Sequence, residues 1–149
     1  MSAVLVVGAT GILAPAADAL RARGLSVLGV ARSGADLSAD ATTPAFVSVL
    51  PDRLGGALVY GPAVTWDVVA AVAARSDGAV VHVLTSAWAA PEVSPPPAPD
   101  GVRRLVLGWR PDRTWHSPEE VSAAALALWD SAGAPDVLGV VRPWSDRPR

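Results

Sequence analysis

A glycine-punctuated junction near the start of the chain narrows its folding options more than any other segment: the apolar run Val4-Leu5-Val6-Val7 meets Gly8-Ala9-Thr10-Gly11. Four consecutive apolar residues rich in β-branching read as a strand buried on both faces, the habit of a parallel sheet. Gly8 ends that run. Beyond it Ile12, Leu13, Ala16, Ala17 and Leu20 recur at helical spacing, and Arg21-Ala22-Arg23-Gly24 supplies a basic last turn with a glycine behind it. Pro15 lacks an N–H and crowds the carbonyl four residues earlier, so the helix begins at or after Thr10. Residues 26–31 return as a second strand, completing a βαβ crossover unit of about thirty residues.

The same alternation continues to the end of the chain. Thr43-Pro44 reads as an N-cap and first helical position, with Phe46, Val47 and Leu50 as the buried face of a short helix ended by Pro51. Residues 57–60 form a strand, and Thr65 caps a helix carrying Val68, Val69 and Val72 on one face. Residues 79–84 are the most apolar strand candidate. Pro91, Pro95, Pro96, Pro97 and Pro99 then exclude regular structure from 90–102, so an extended surface connection leads to a strand at 104–108. Ser117-Pro118-Glu119-Glu120 is a capping box that starts a helix running to about Ser131. A strand at 137–141 and a polar tail from Arg142-Pro143-Trp144 complete the chain. Strands separated by single helices, with no hairpin signal, predict one α/β domain over 1–149 with a doubly wound, mostly parallel sheet.

In such a sheet the turn after the first strand is where an anion is held. Gly8 allows the tight turn, Gly11 lets backbone N–H groups approach a pyrophosphate, and the helix N-terminus adds partial positive charge. Ala14 stands where a third glycine is usual, and its small side chain still permits close helix packing. The residues by themselves leave open a glycine-containing βα turn that binds nothing.

Composition removes several other chemistries. A net charge of −2, from 12 basic and 14 acidic residues spread along the chain, leaves no footprint for nucleic acid. The absence of cysteine excludes disulfides, thiol nucleophiles and thiolate metal sites, and His82 and His116 alone offer no metal-ligand spacing. All 12 basic residues are arginine, so no lysine amine is available as base, Schiff-base former or cofactor anchor. The first apolar run has no basic flank and is too short to span a bilayer, which predicts a cytoplasmic protein with no membrane partner.

The segment Val7-Gly8-Ala9-Thr10-Gly11-Ile12-Leu13 resembles the G-x-x-G-x-x-(G/A) turn of atypical and extended short-chain dehydrogenase/reductases and of NmrA-like proteins. The resemblance implies a Rossmann-like fold holding a nicotinamide dinucleotide, with Gly8, Thr10, Gly11, Ile12 and Leu13 at the pyrophosphate. Val30-Ala31-Arg32-Ser33 resembles the end of the family's second strand. Arginine there, in place of an acidic residue, implies NADP(H), because Arg32 can pair with a 2′-phosphate that a carboxylate would repel. A solvated surface Arg32 is the competing assignment. Tyr60-Gly61-Pro62 resembles the place where such folds end a strand against the cofactor, and Thr85-Ser86-Ala87 the place of the catalytic serine. Residues 115–147 resemble very short bacterial members of that class. The chain departs from the family at its Tyr-x-x-x-Lys pair: its single tyrosine, Tyr60, falls on a strand before the serine, and lysine is absent.

Catalysis would therefore rest on weaker groups. Ser86, at a strand end, is placed to hydrogen-bond a substrate carbonyl or the nicotinamide carboxamide, and equally to satisfy loop backbone groups. His116 reaches the cleft only if its loop folds over it, and His82, in mid-strand, reads as a buried, hydrogen-bonded structural histidine. Tyr60 on its strand has poor access. Trp66, Trp88, Trp109 and Trp115 lie near strand ends or helix starts, where clustering would create an apolar pocket. The expectation is a small NADP(H)-dependent oxidoreductase acting on a small carbonyl or imine substrate, with 85–116, and room for a neighbouring subunit of a homo-oligomer, forming the substrate pocket. A non-catalytic, NmrA-like NAD(P) sensor is the alternative, as is a Rossmann frame with a non-redox role.

Overall fold

The computed structural model describes residues 2–149. Seven strands form one parallel sheet: β1 (Val4–Val7), β2 (Val27–Ala31), β3 (Leu37–Ser38), β4 (Gly56–Tyr60), β5 (Val80–Leu84), β6 (Val102–Leu107) and β7 (Val137–Leu138). Their spatial order is β3-β2-β1-β4-β5-β6-β7, so the chain reverses direction across the sheet between β1 and β4. Such a switch point opens a crevice at the carboxyl ends of the strands. β1 is an interior strand, with Val4 paired to Val27 on one side and to Gly56 on the other.

Strand alternation divides the core between the two faces. Val4, Val6, Val81, Val83 and Leu105 pack under α1 (Ala14–Ala22) and α4 (Pro118–Asp130), while Leu5, Val7, Val59 and Val80 pack under α2 (Phe46–Val49) and α3 (Trp66–Arg75). α1 and α4 lie side by side, joined by the two-pronged Arg23–Asp130 ion pair at 2.8 and 2.9 Å. The Ser117 hydroxyl accepts from the Glu120 N–H and the Glu120 carboxylate accepts from the Ser117 N–H, so the capping box forms as expected.

Several local expectations require correction. Thr43 does not cap α2. Its hydroxyl donates to Asp40 O, Ala45 takes the N-cap position, and the helix is a single turn, too short for propensity to set its ends. β6 begins inside the proline-rich stretch, at Val102. β7 stops at Leu138 because Gly139 turns the backbone to φ +76°, where a Cβ would collide with Trp109 O and the His116 ring. Val140 then makes an antiparallel bridge to Trp109. The two-residue edge strand β3, which no periodicity marks, pairs with the end of β2.

The crossover from β5 to β6 carries a 3₁₀ turn (Ser86–Ala89) and extended backbone where a doubly wound sheet ordinarily lays a helix. Val102, Arg104 and Val106 are therefore only half-buried, whereas Leu105 and Leu107, pointing at α4, are buried.

Candidate functional site

At the β1–α1 turn, the two glycines carry different loads. Gly8 adopts φ +97°, and a Cβ on it would stand 3.2 Å from Tyr60 Cβ. Its carbonyl accepts from the N–H groups of Gly11 (3.1 Å) and Leu13 (3.3 Å), which closes the turn. Gly11 has open space where a Cβ would lie, meeting only Gly8 O at 3.9 Å. Among the described residues, the N–H groups of Thr10 and Ile12 have no protein partner, so they are the free donors at the mouth of the crevice. Leu13 is wholly buried and its N–H is spent on Gly8 O, so its part is structural support. The buried Ser122 hydroxyl donates to Ile12 O at 3.1 Å and pins the turn to α4.

Beyond this turn a cleft of about 340 Å³ extends over the ends of β1 and β2 to residues 39–42. Arg32 lines it and is exposed, facing the same space as Asp40. Thr42, through its hydroxyl and then its N–H, holds the Asp40 carboxyl below the usual carboxylate range, and the charge of Arg32 adds to this. Ser33 is exposed and does not line the cleft. Asp40 was not legible as a site residue, because β3, which delivers it, has no sequence signature.

Ile12 and Tyr60 join this cleft to a second cavity of about 290 Å³, which holds Thr85, Ser86, Trp115, His116 and Arg147. Tyr60 is half-buried and lines both spaces, so it has access to the crevice after all; burial pushes its phenol above the usual value of 10. Ser86 is 3 % exposed, and its Oγ accepts from Arg147 Nε at 2.8 Å. Arg147 is held by the rings of Trp144 and Trp115, at 5.4 and 5.6 Å from their centroids, and Trp144 packs edgewise on the buried Trp109. The segment expected to be a polar tail thus folds back over the carboxyl end of the sheet. The loop before α4 also folds over the cavity and brings His116 to its wall. His116 Nδ1 lies 3.0 Å from Glu120 Oε2, and its Nε2 is buried against Gly139 without a partner. The Arg110 guanidinium first, then His116, hold the Glu120 carboxyl at about 2.

Gly61 falls outside both spaces. It lines a third cavity of about 280 Å³ on the α3 side, with Trp66, Trp88 and His82. His82 is 2 % exposed, as its strand position predicts, but its Nδ1 has no partner, contrary to the expected hydrogen-bonded state. Burial, and then the charge of Arg104, push the imidazole down to about 4. Among the described residues, no group of three or more histidines and carboxylates is placed to hold a metal ion, and no helix is long and apolar enough to cross a membrane.

No family model and no curated protein sequence matches the chain. Among solved structures, the chain is similar to the 3-alpha-hydroxysteroid dehydrogenase of Pseudomonas sp. B-0831, which was crystallised with NADH. That match has a TM-score of 0.66 and 21 % identity over 93 % of this chain and 94 % of that one. It is also similar to the UDP-N-acetylglucosamine 4-epimerase of Bacillus cereus, with a TM-score of 0.60 and 12 % identity over 94 % of this chain and 78 % of that one. At these identities the likeness establishes the fold, a Rossmann-like α/β sheet.

Proposed function

We propose that this protein is a small NADP(H)-dependent reductase of a small carbonyl or imine substrate. The observation that carries the reading is the continuity of the crevice: free N–H donors of Thr10 and Ile12 at the switch point, Arg32 at one end, and the Ser86–Arg147 pair at the other. The residues present fit a dinucleotide. Gly11 leaves room for a pyrophosphate, and Arg32 offers a cation to a 2′-phosphate. When bound, the nicotinamide supplies a hydride to the substrate carbon.

The chain's own contribution is a polarised hydroxyl. A serine has one proton and two lone pairs. Arg147 Nε donates into one lone pair, so the Ser86 proton remains free to be directed at a substrate oxygen. A cationic donor behind the oxygen makes that proton a stronger donor. This pair would supply the hydrogen bond for which the chain has no Tyr-x-x-x-Lys pair.

The non-catalytic sensor reading draws support from the same contact, because Arg147, which lines the cavity, already occupies one side of the Ser86 hydroxyl. Calorimetric titration with NADPH and NADH, followed by NADPH consumption with a panel of aldehydes, ketones and imines, separates the readings. Binding with turnover supports the reductase, binding without turnover the sensor, and absence of binding removes both.

A further inference from the structure

We propose that the third cavity, on the α3 side of the sheet, is a binding site for a small uncharged aromatic molecule carrying one oxygen substituent, of the phenol or aryl ketone type. The site does not rest on the dinucleotide reading. It shares only Pro62 with the Arg32 cleft and Thr85 with the Ser86 cavity, and it lies on the opposite face of the sheet from α1 and α4.

The cavity exists because of the prolines. The β5-to-β6 crossover lays no helix across this face, so no crossover helix covers His82 and Arg104, which are paired across β5 and β6. Trp66, at the start of α3, and Trp88, in the 3₁₀ turn after β5, form the walls instead. Their rings stand 5.0 Å apart at 79°, and Trp66 also meets the His82 ring at 5.2 Å and 75°. The two indoles pack edge to face on each other and both line the cavity, giving it aromatic walls against which a further ring can pack. A space of about 280 Å³ accommodates a one- or two-ring molecule.

Polarity in the cavity narrows the ligand further. No charged side chain lines it; the Arg104 guanidinium stands over the Trp66 ring at 5.3 Å and is not part of the lining. A charged ligand would have no direct partner. The cavity's polar lining is Thr65, whose hydroxyl already accepts from the Val68 N–H, Thr85, and His82, buried and neutral at physiological pH. The His82 Nδ1 is sealed without a partner, and its Nε2 lies beside Gly61, 3.3 Å from where a Cβ on that glycine would stand. The sealed Nδ1 is out of a ligand's reach, so a ligand oxygen would meet Nε2, the ring nitrogen on the side of Gly61, which lines the cavity.

The test is ¹⁹F NMR titration of the full chain with 4-fluorophenol and with fluorobenzene. Wild-type protein is expected to bind 4-fluorophenol saturably and about tenfold more tightly than fluorobenzene, the value of one net hydrogen bond. Trp88→Ala, at a half-buried position outside the core, is expected to weaken both probes, and His82→Phe to erase the preference between them. NADPH is expected not to displace 4-fluorophenol. Absence of saturable binding, indifference to Trp88→Ala, equal affinity of the two probes for wild type, or displacement by NADPH each overturns the proposal. If His82→Phe does not fold, the comparison of probes on wild type and Trp88→Ala still decides.

Discussion

Replacing Gly11 by valine separates a turn that binds a dinucleotide from one that merely connects a strand to a helix. The substitution is mild for the free protein, since Gly11 does not use a left-handed backbone and the only neighbour within 4 Å of a Cβ is Gly8 O at 3.9 Å. Stability should change by no more than about 0.5 kcal/mol, as for a surface position without special contacts. For a bound pyrophosphate the added side chain stands between the ligand and the N–H groups of Thr10 and Ile12. Hydrogen bonds to a charged group contribute about 1.5–3 kcal/mol each, so losing two weakens NADPH by about 3–6 kcal/mol, at least a hundredfold in Kd. Gly8→Ala should behave in the opposite way. Its φ of +97° and the 3.2 Å approach to Tyr60 Cβ place its cost in the fold, at about 1–3 kcal/mol. Isothermal calorimetry and urea denaturation on both variants measure the two quantities. A Gly11→Val protein that binds NADPH as tightly as the parent refutes the assignment, as does one destabilised as much as Gly8→Ala.

Arg32→Ala should weaken NADPH by about 10- to 100-fold, the worth of one charge-assisted contact, while leaving NADH nearly unchanged; equal losses would place Arg32 in solvent. With a substrate that turns over, Ser86→Ala should lower kcat on the order of 100- to 1000-fold at unchanged NADPH affinity, and Tyr60→Phe far less, since burial keeps that phenol protonated and no lysine assists it. The reverse ranking would remove Ser86 from its role. Arg147→Met should also lower kcat, and combining it with Ser86→Ala should cost little beyond Ser86→Ala alone, because the arginine acts through the hydroxyl. His82 makes stability pH-dependent. It is neutral in the folded chain down to about 4 but protonates near 6.5 when unfolded, so stability is full above about 6.5 and falls as pH drops toward 4. The shift corresponds to at most about 3 kcal/mol. Urea denaturation of wild type and His82→Phe across that range checks it, and parallel pH curves would contradict it.

By itself the sequence determined the elements whose causes are local. The run Val4–Val7, the helical spacing through Leu20 and the glycines at 8 and 24 define the first βαβ unit, because strand burial, helix periodicity and turn conformation each act over a few residues. The Ser117–Glu120 capping box is equally local, and it formed as read. Tertiary structure decided what meets at the carboxyl edge of the sheet. Ser86 and Arg147 are 61 positions apart, and their contact depends on Trp144 packing against Trp109 and carrying the C-terminal segment back over the crevice. Asp40 reaches the Arg32 cleft two residues past a strand only two residues long, which exists only because β2 offers it an edge. His82 is buried as its strand predicts, yet its Nδ1 lacks the expected partner, and its ring meets Trp66 of α3, which packs in turn on Trp88 of a separate element. Such contacts are selected by the packing of whole layers, and no pattern of neighbouring residues encodes them.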